Sequence, residues 1–69
     1  MRRITEVNRA LRAAGHRVLL HRAPQGYYYF HGEDVAGGVS DGVYVYRAEQ
    51  LSVDTWLTEA RARLTRERP

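Results

Sequence analysis

The 69 residues include no cysteine and no lysine, and only two prolines, one phenylalanine, one tryptophan and one methionine. Without cysteine there is no disulfide framework, no thiolate zinc site and no thiol nucleophile, so apolar packing or self-association must supply the stability. A reducing, cytoplasmic setting is therefore expected. No apolar run approaches the roughly 18 residues that a membrane span needs, and Met1-Arg2-Arg3 is followed by Ile4-Thr5-Glu6, not by an apolar export segment. A protein without a membrane span or signal is the expectation. The length allows one domain over residues 1–69, close to the lower limit at which one core offsets the entropy of ordering the chain, and leaves little room for a buried catalytic cleft.

All eleven basic residues are arginine. GC-rich codon usage is the simplest source of that bias; selection for planar, bidentate anion contacts is the sharper alternative. The charge is unevenly placed. Residues 1–22 hold six arginines against Glu6, residues 23–60 hold Arg47 against six acids, and residues 61–69 return to a positive balance. Basic ends around an acidic middle permit contact with an anionic partner without establishing one.

Six of the seven aromatic residues lie in two short runs, Tyr27-Tyr28-Tyr29-Phe30 and Val43-Tyr44-Val45-Tyr46. Both read as strands. The segment 16–22 reads as another, and Ala23-Pro24-Gln25-Gly26 as its turn: proline at the second position and glycine at the fourth suit a three-residue hairpin with a G1 bulge. That turn pairs Ala23 with Tyr27, His21 with Tyr29, Leu20 with Phe30 and Leu19 with His31. Val18, Leu20, Tyr28 and Phe30 then share one side, and Arg17, Leu19, His21, Tyr27, Tyr29 and His31 the other. If Val43 and Val45 join the core, Tyr44 and Tyr46 fall beside Tyr27 and Tyr29. The connection 32–41, with three glycines and three acids, is expected to be mobile.

Helical spacing of Ile4, Val7, Leu11 and Ala14 predicts an amphipathic helix over about 5–14, capped by Thr5 and ended by Gly15, with Arg9 and Arg12 on a solvated face. Ser52 before Val53, Asp54 in the first turn and Leu51 and Trp56 as a hydrophobic staple predict a second helix. Its stripe is Val53, Trp56, Leu57, Ala60 and Leu64, Glu59 pairs with Arg63, and it frays after about Arg66. The expected fold is α+β, a three-stranded antiparallel β-meander with two helices packed on one face in the order αβββα.

Such a fold leaves the second sheet face uncovered. Arg17, His21, Tyr27, Tyr29, His31, Tyr44 and Tyr46 are the candidate binding residues, of the types enriched in interaction hot spots. The plainer possibility is that cross-strand aromatic pairs merely stabilise a small sheet. No metal or cofactor is expected: no third ligand joins His21 and His31, the acids match no calcium loop, and the glycines match no phosphate-binding spacing. Ser40, Ser52 and the three histidines could supply a nucleophile and a base, but every short protein has such residues and Ser52 is better explained as a cap, so no enzyme activity is expected. The alternative is a nucleic-acid-binding module, with single strands stacking on the open face; the element order is also that of double-stranded RNA-binding domains, whose second helix, unlike this one, opens with a basic cluster. A homodimer, two tyrosine faces meeting, is the third possibility.

The run Gly26-Tyr27-Tyr28-Tyr29-Phe30, followed by Val43-Tyr44-Val45-Tyr46-Arg47 and then Leu51, Trp56 and Glu59, resembles small uncharacterised proteins encoded by bacteriophages and prophages. The similarity covers about residues 4–64, and its motifs are structural. It implies a protein of a bacterial host's cytoplasm, in the company of anti-defence inhibitors such as anti-CRISPR proteins. Such inhibitors act non-enzymatically, by occupying a surface on a host protein or ribonucleoprotein complex.

Overall fold

The computed structural model describes residues 2–64. The elements run in order α1 (Arg3–Ala13), β1 (Val18–Arg22), β2 (Tyr28–Gly32) and α2 (Val53–Arg63), with single 3₁₀ turns at Ala36–Gly38 and Ala48–Gln50. The fold class is α+β.

The hairpin has the register that its turn chemistry requires. His21 faces Tyr29, Leu20 faces Phe30 and Leu19 faces His31. The Ala23 N–H donates to the Tyr27 carbonyl at 2.7 Å, the Gly26 N–H donates to the Ala23 carbonyl at 3.0 Å, and Gly26 sits at φ 102°. Only glycine takes that conformation without a Cβ clash, so this residue fixes the bulge and, through it, which side chains face the core.

The expected third strand does not form. Among the described residues the sheet has two strands, and residues 39–46 touch β2 only through bridges from Val43 to Tyr28 and from Val39 to His31. The reason lies in the register. With Val43 opposite Tyr28, the first residue of β2, continued antiparallel pairing would set Val45 and Tyr46 against Gly26 and Gln25, which are turn, not strand. Earlier in the segment the ladder is also interrupted. Ser40 takes the place opposite Phe30: its N–H donates to the Phe30 carbonyl at 2.8 Å, and its Oγ accepts the Phe30 N–H at 2.9 Å. A side-chain oxygen thus stands where a strand would offer a carbonyl.

Nor is the connection after β2 free of anchors. Val35 is buried, and Asp34 accepts the Arg17 backbone N–H at 2.8 Å. Helix α1 begins earlier than expected. Arg2, not Thr5, is its N-cap, with no side-chain cap, and the Arg3 guanidinium ties the first turn to Glu6 at 2.9 Å and to the Leu51 carbonyl at 2.7 Å. Its end is as expected, with Gly15 at φ 85°, although Ala14 is exposed. Helix α2 begins at Val53 beneath its Ser52 cap, whose Oγ accepts the Thr55 N–H at 3.1 Å. The expected fraying after Arg66 lies outside the described residues.

One cluster forms the core: Val7 and Leu11 from α1, Val18, Leu20, Tyr28 and Phe30 from the hairpin, Trp56, Ala60 and Leu64 from α2 and its end, with Val35 and Ala48. Val43 and Val45 pack against it, as their alternation requires. Trp56 is fully buried between the rings of Tyr28 and Phe30, both met edge-on, with centroids at 5.6 and 6.1 Å. Its indole N–H donates to the Ala48 carbonyl at 2.8 Å, and the Tyr28 hydroxyl accepts the Ala48 N–H at 3.0 Å. Both polar ends of one buried peptide segment are thereby satisfied by aromatic side chains. On the other side of the hairpin, the Asn8 amide of α1 accepts the Leu20 N–H at 2.7 Å and donates to the Leu20 carbonyl at 3.4 Å.

Two substitutions test these contacts. Tyr28→Phe keeps the ring but leaves the Ala48 N–H without an acceptor, and should cost about 1–3 kcal/mol. Asn8→Ala strips Leu20 of its partner and should cost a similar amount. Urea unfolding followed by Trp56 fluorescence reads both; an unchanged midpoint in either variant would mean that the contact carries no stability.

Candidate functional site

Helices cover one face of the hairpin, and the opposite face carries a connected row of rings. His31 meets His21 edge-on at a centroid distance of 5.5 Å, His21 stacks on Tyr29 at 5.6 Å, Tyr29 lies tilted against Tyr27 at 6.3 Å, and Tyr27 stacks on Tyr44 at 5.1 Å. The alternation of the strands produces the row. His21, Tyr29 and His31 all point away from Leu20 and Phe30, and the register makes His21 and Tyr29 direct partners and His21 and His31 diagonal ones.

Gly42 completes it. A Cβ at this position would lie 2.8 Å from Cδ2 of Tyr27 and 3.1 Å from Cε1 of Tyr44. Any larger residue therefore pushes apart the stacked pair. Sequence reasoning passed over Gly42, whose one signal is a glycine immediately before the Val43-Tyr44 alternation.

Five of the seven sequence-predicted residues are thus brought together: His21, Tyr27, Tyr29, His31 and Tyr44. Tyr44 is 78% exposed although one side of its ring is stacked. Tyr46 is 86% exposed and stands apart from the row, lining with Gly26, Tyr44 and Val45 a separate shallow pocket. Arg17 is exposed but already paired. Its guanidinium lies 2.9 Å from Glu33 and 3.3 Å from Asp34, so it offers the row no uncommitted cation.

Beside the rings, a groove is lined by Tyr27, Tyr29, Tyr44, Val39, Ser40 and Asp41. Asp41 is bound to Arg63 at 2.8 Å, and Arg63 also bonds Glu59 at 2.6 Å, the helical pair expected from their spacing. Burial alone would weaken the hold of Arg63 on its proton, but the hydrogen bonds to Glu59 and Asp41 outweigh it and push the pKa further up. The row carries no arginine and no carboxylate, and is polar only through hydroxyl and imidazole groups. No group of three or more metal-ligating side chains exists among the described residues, and no helix there is long and apolar enough to cross a membrane.

No protein-family model, curated protein or solved structure matches this chain.

Asp34, beside the row, gives the fold a measurable pH response. The Arg17 backbone N–H holds its carboxyl below the ordinary value of 3.8, helped by the charge and hydrogen bond of the Arg17 guanidinium. Because the folded-state pKa is lowered, the contribution is present at pH values above 3.8 and is lost as the pH falls through the folded value. Asp34→Asn should therefore lower the melting temperature at pH 7, and the gap to the native chain should close on acidification below 3.8. Thermal melts at pH 7, 5 and 3 check this; a gap independent of pH would remove the charge from the explanation.

Proposed function

We propose that this chain is a non-enzymatic interaction module that docks its aromatic sheet face onto a protein surface, free or within a ribonucleoprotein. The observation that carries the reading is the row of five rings on the face opposite both helices. Aromatic side chains present large contact area at low cost in rotamer entropy, and their hydroxyl and imidazole tips satisfy polar groups as water leaves. The row holds no arginine, aspartate or glutamate, which suits the desolvated centre of a protein interface, where charged residues are depleted. Stacking of a nucleic-acid strand on the same face would call for cations beside the rings, and Arg17, the arginine that alternation places on that face, is paired with Glu33 and Asp34. Occupying a surface requires no chemistry, and inhibition by occupation, the action of anti-defence inhibitors found among small phage proteins of the kind this chain resembles, is the form of action we favour.

Tyr29→Ala with Tyr44→Ala should weaken capture of the partner from a bacterial lysate at least tenfold while unfolding remains cooperative. Gly42→Ala should weaken it too, with every ring still present. Capture must survive nuclease if protein is what the rings meet. Undiminished capture by the tyrosine variant would sink the proposal, and so would a stable dimer at micromolar concentration in sedimentation, because a second copy would then cover the rings.

A further inference from the structure

Helix α1 turns a second surface outward, remote in character from the rings. Its exposed stripe holds Arg2, Thr5, Arg9 and Arg12, followed by Ala13, with no carboxylate among them. Arg2, Arg9 and Arg12 fall within about 80° of one another around the helix and span about 15 Å along it. The one acid of α1, Glu6, is bound by Arg3. Elsewhere Glu33 and Asp34 are taken by Arg17, and Asp41 and Glu59 by Arg63. Two arginines thereby absorb four carboxylates, and the three arginines of the stripe have no ion-pair partner among the described residues. Past the ends of α1, Arg22 lines a cleft with Arg2 and Glu49, and His16 lines a pocket with Arg12, Arg17 and Glu33.

We infer that α1 is a phosphate-backbone contact and that the partner includes a nucleic acid. Like charges spaced along one helix face repel one another and gain nothing from the fold, whereas a polyanion neutralises all of them at once. Guanidinium groups match phosphate oxygens bidentately. The contact is assigned to the backbone, which every sequence shares; an arginine bidentate on guanine would show instead as a base preference. An anionic membrane surface fits poorly, since the exposed stripe has no large apolar residue to insert beside the charges. The two surfaces meet at one pocket, lined by Arg12, Arg17, His31 and Glu33, and the variants below separate their contributions.

The test uses the full chain with labelled 20-nucleotide RNA, single-stranded and duplex, at 50 and 200 mM salt, with phosphatidylserine vesicles as a further ligand. Three phosphate contacts predict a loss of affinity between the two salt concentrations of about 20-fold for single strands and about 40-fold for duplex. Arg2→Gln, Arg9→Gln and Arg12→Gln together should abolish binding, and the Arg9→Gln change alone should lower the log–log salt slope by about 0.7 to 0.9. The Tyr29→Ala, Tyr44→Ala chain should bind as the native one does. Melting of all variants within a few degrees of the native chain keeps the comparison valid, and the single substitution serves if the triple one does not fold. No binding at 50 mM, with or without vesicle binding, overturns the inference, as does full affinity in the triple variant. Loss of RNA binding in the tyrosine variant would place the nucleic acid across the sheet and overturn the assignment to α1.

Discussion

A buried peptide at Ala48 is the constraint on which this small fold depends. A surface 3₁₀ turn sets Ala48 into the core there, and the N–H and C=O of that residue would each be costly if left without a partner. Tyr28 and Trp56 meet them from β2 and α2. The two rings also touch each other, so strand, turn and helix are fixed by one polar contact set inside an apolar cluster. Orientation follows from this. An indole that must keep its N–H on Ala48 cannot rotate within the core, and α2 is held at one angle to the hairpin.

The hairpin was legible because its information is local. Pro24 and Gly26 specify the bulge, the bulge specifies the register, and the register decides that Tyr28 enters the core while Tyr27 and Tyr29 remain outside. Ser52 announced α2 for the same reason, since a cap acts on the N–H groups two and three residues away. What failed was non-local. The alternation of Val43 to Tyr46 is that of a strand, but a strand needs a partner at its own height, and β2 begins at Tyr28, level with Val43. The partners of Ala48, Leu20 and Phe30 were equally hidden, because each pairs a backbone group with a side chain distant in sequence.

Of the site, the alternation disclosed which tyrosines and histidines share a face, and the structure adds their order and contacts. It also separates residues that composition had placed together. Arg17 shares a face with the rings by alternation, yet its charge is spent on Glu33 and Asp34; Tyr46 matches Tyr44 in spacing, yet lies beyond the end of the sheet. Charge sorting follows from a few ion pairs. Four carboxylates of the acidic middle gather on Arg17 and Arg63, away from the arginines of α1, which keep a stripe free of acids.

Asn8 and Ser40 occupy equivalent places on opposite margins of the hairpin, one on Leu20 and the other on Phe30, the central residues of their strands. Each supplies the donor and acceptor that a further strand would bring. Growth of the sheet by addition of a foreign strand is therefore blocked at its midpoint on both sides, and with it the commonest route by which small open sheets polymerise. Partners that recognise proteins by strand addition are excluded on the same ground. What the sheet itself leaves open to association is its plane, where side chains and not main-chain ladders decide which surface fits.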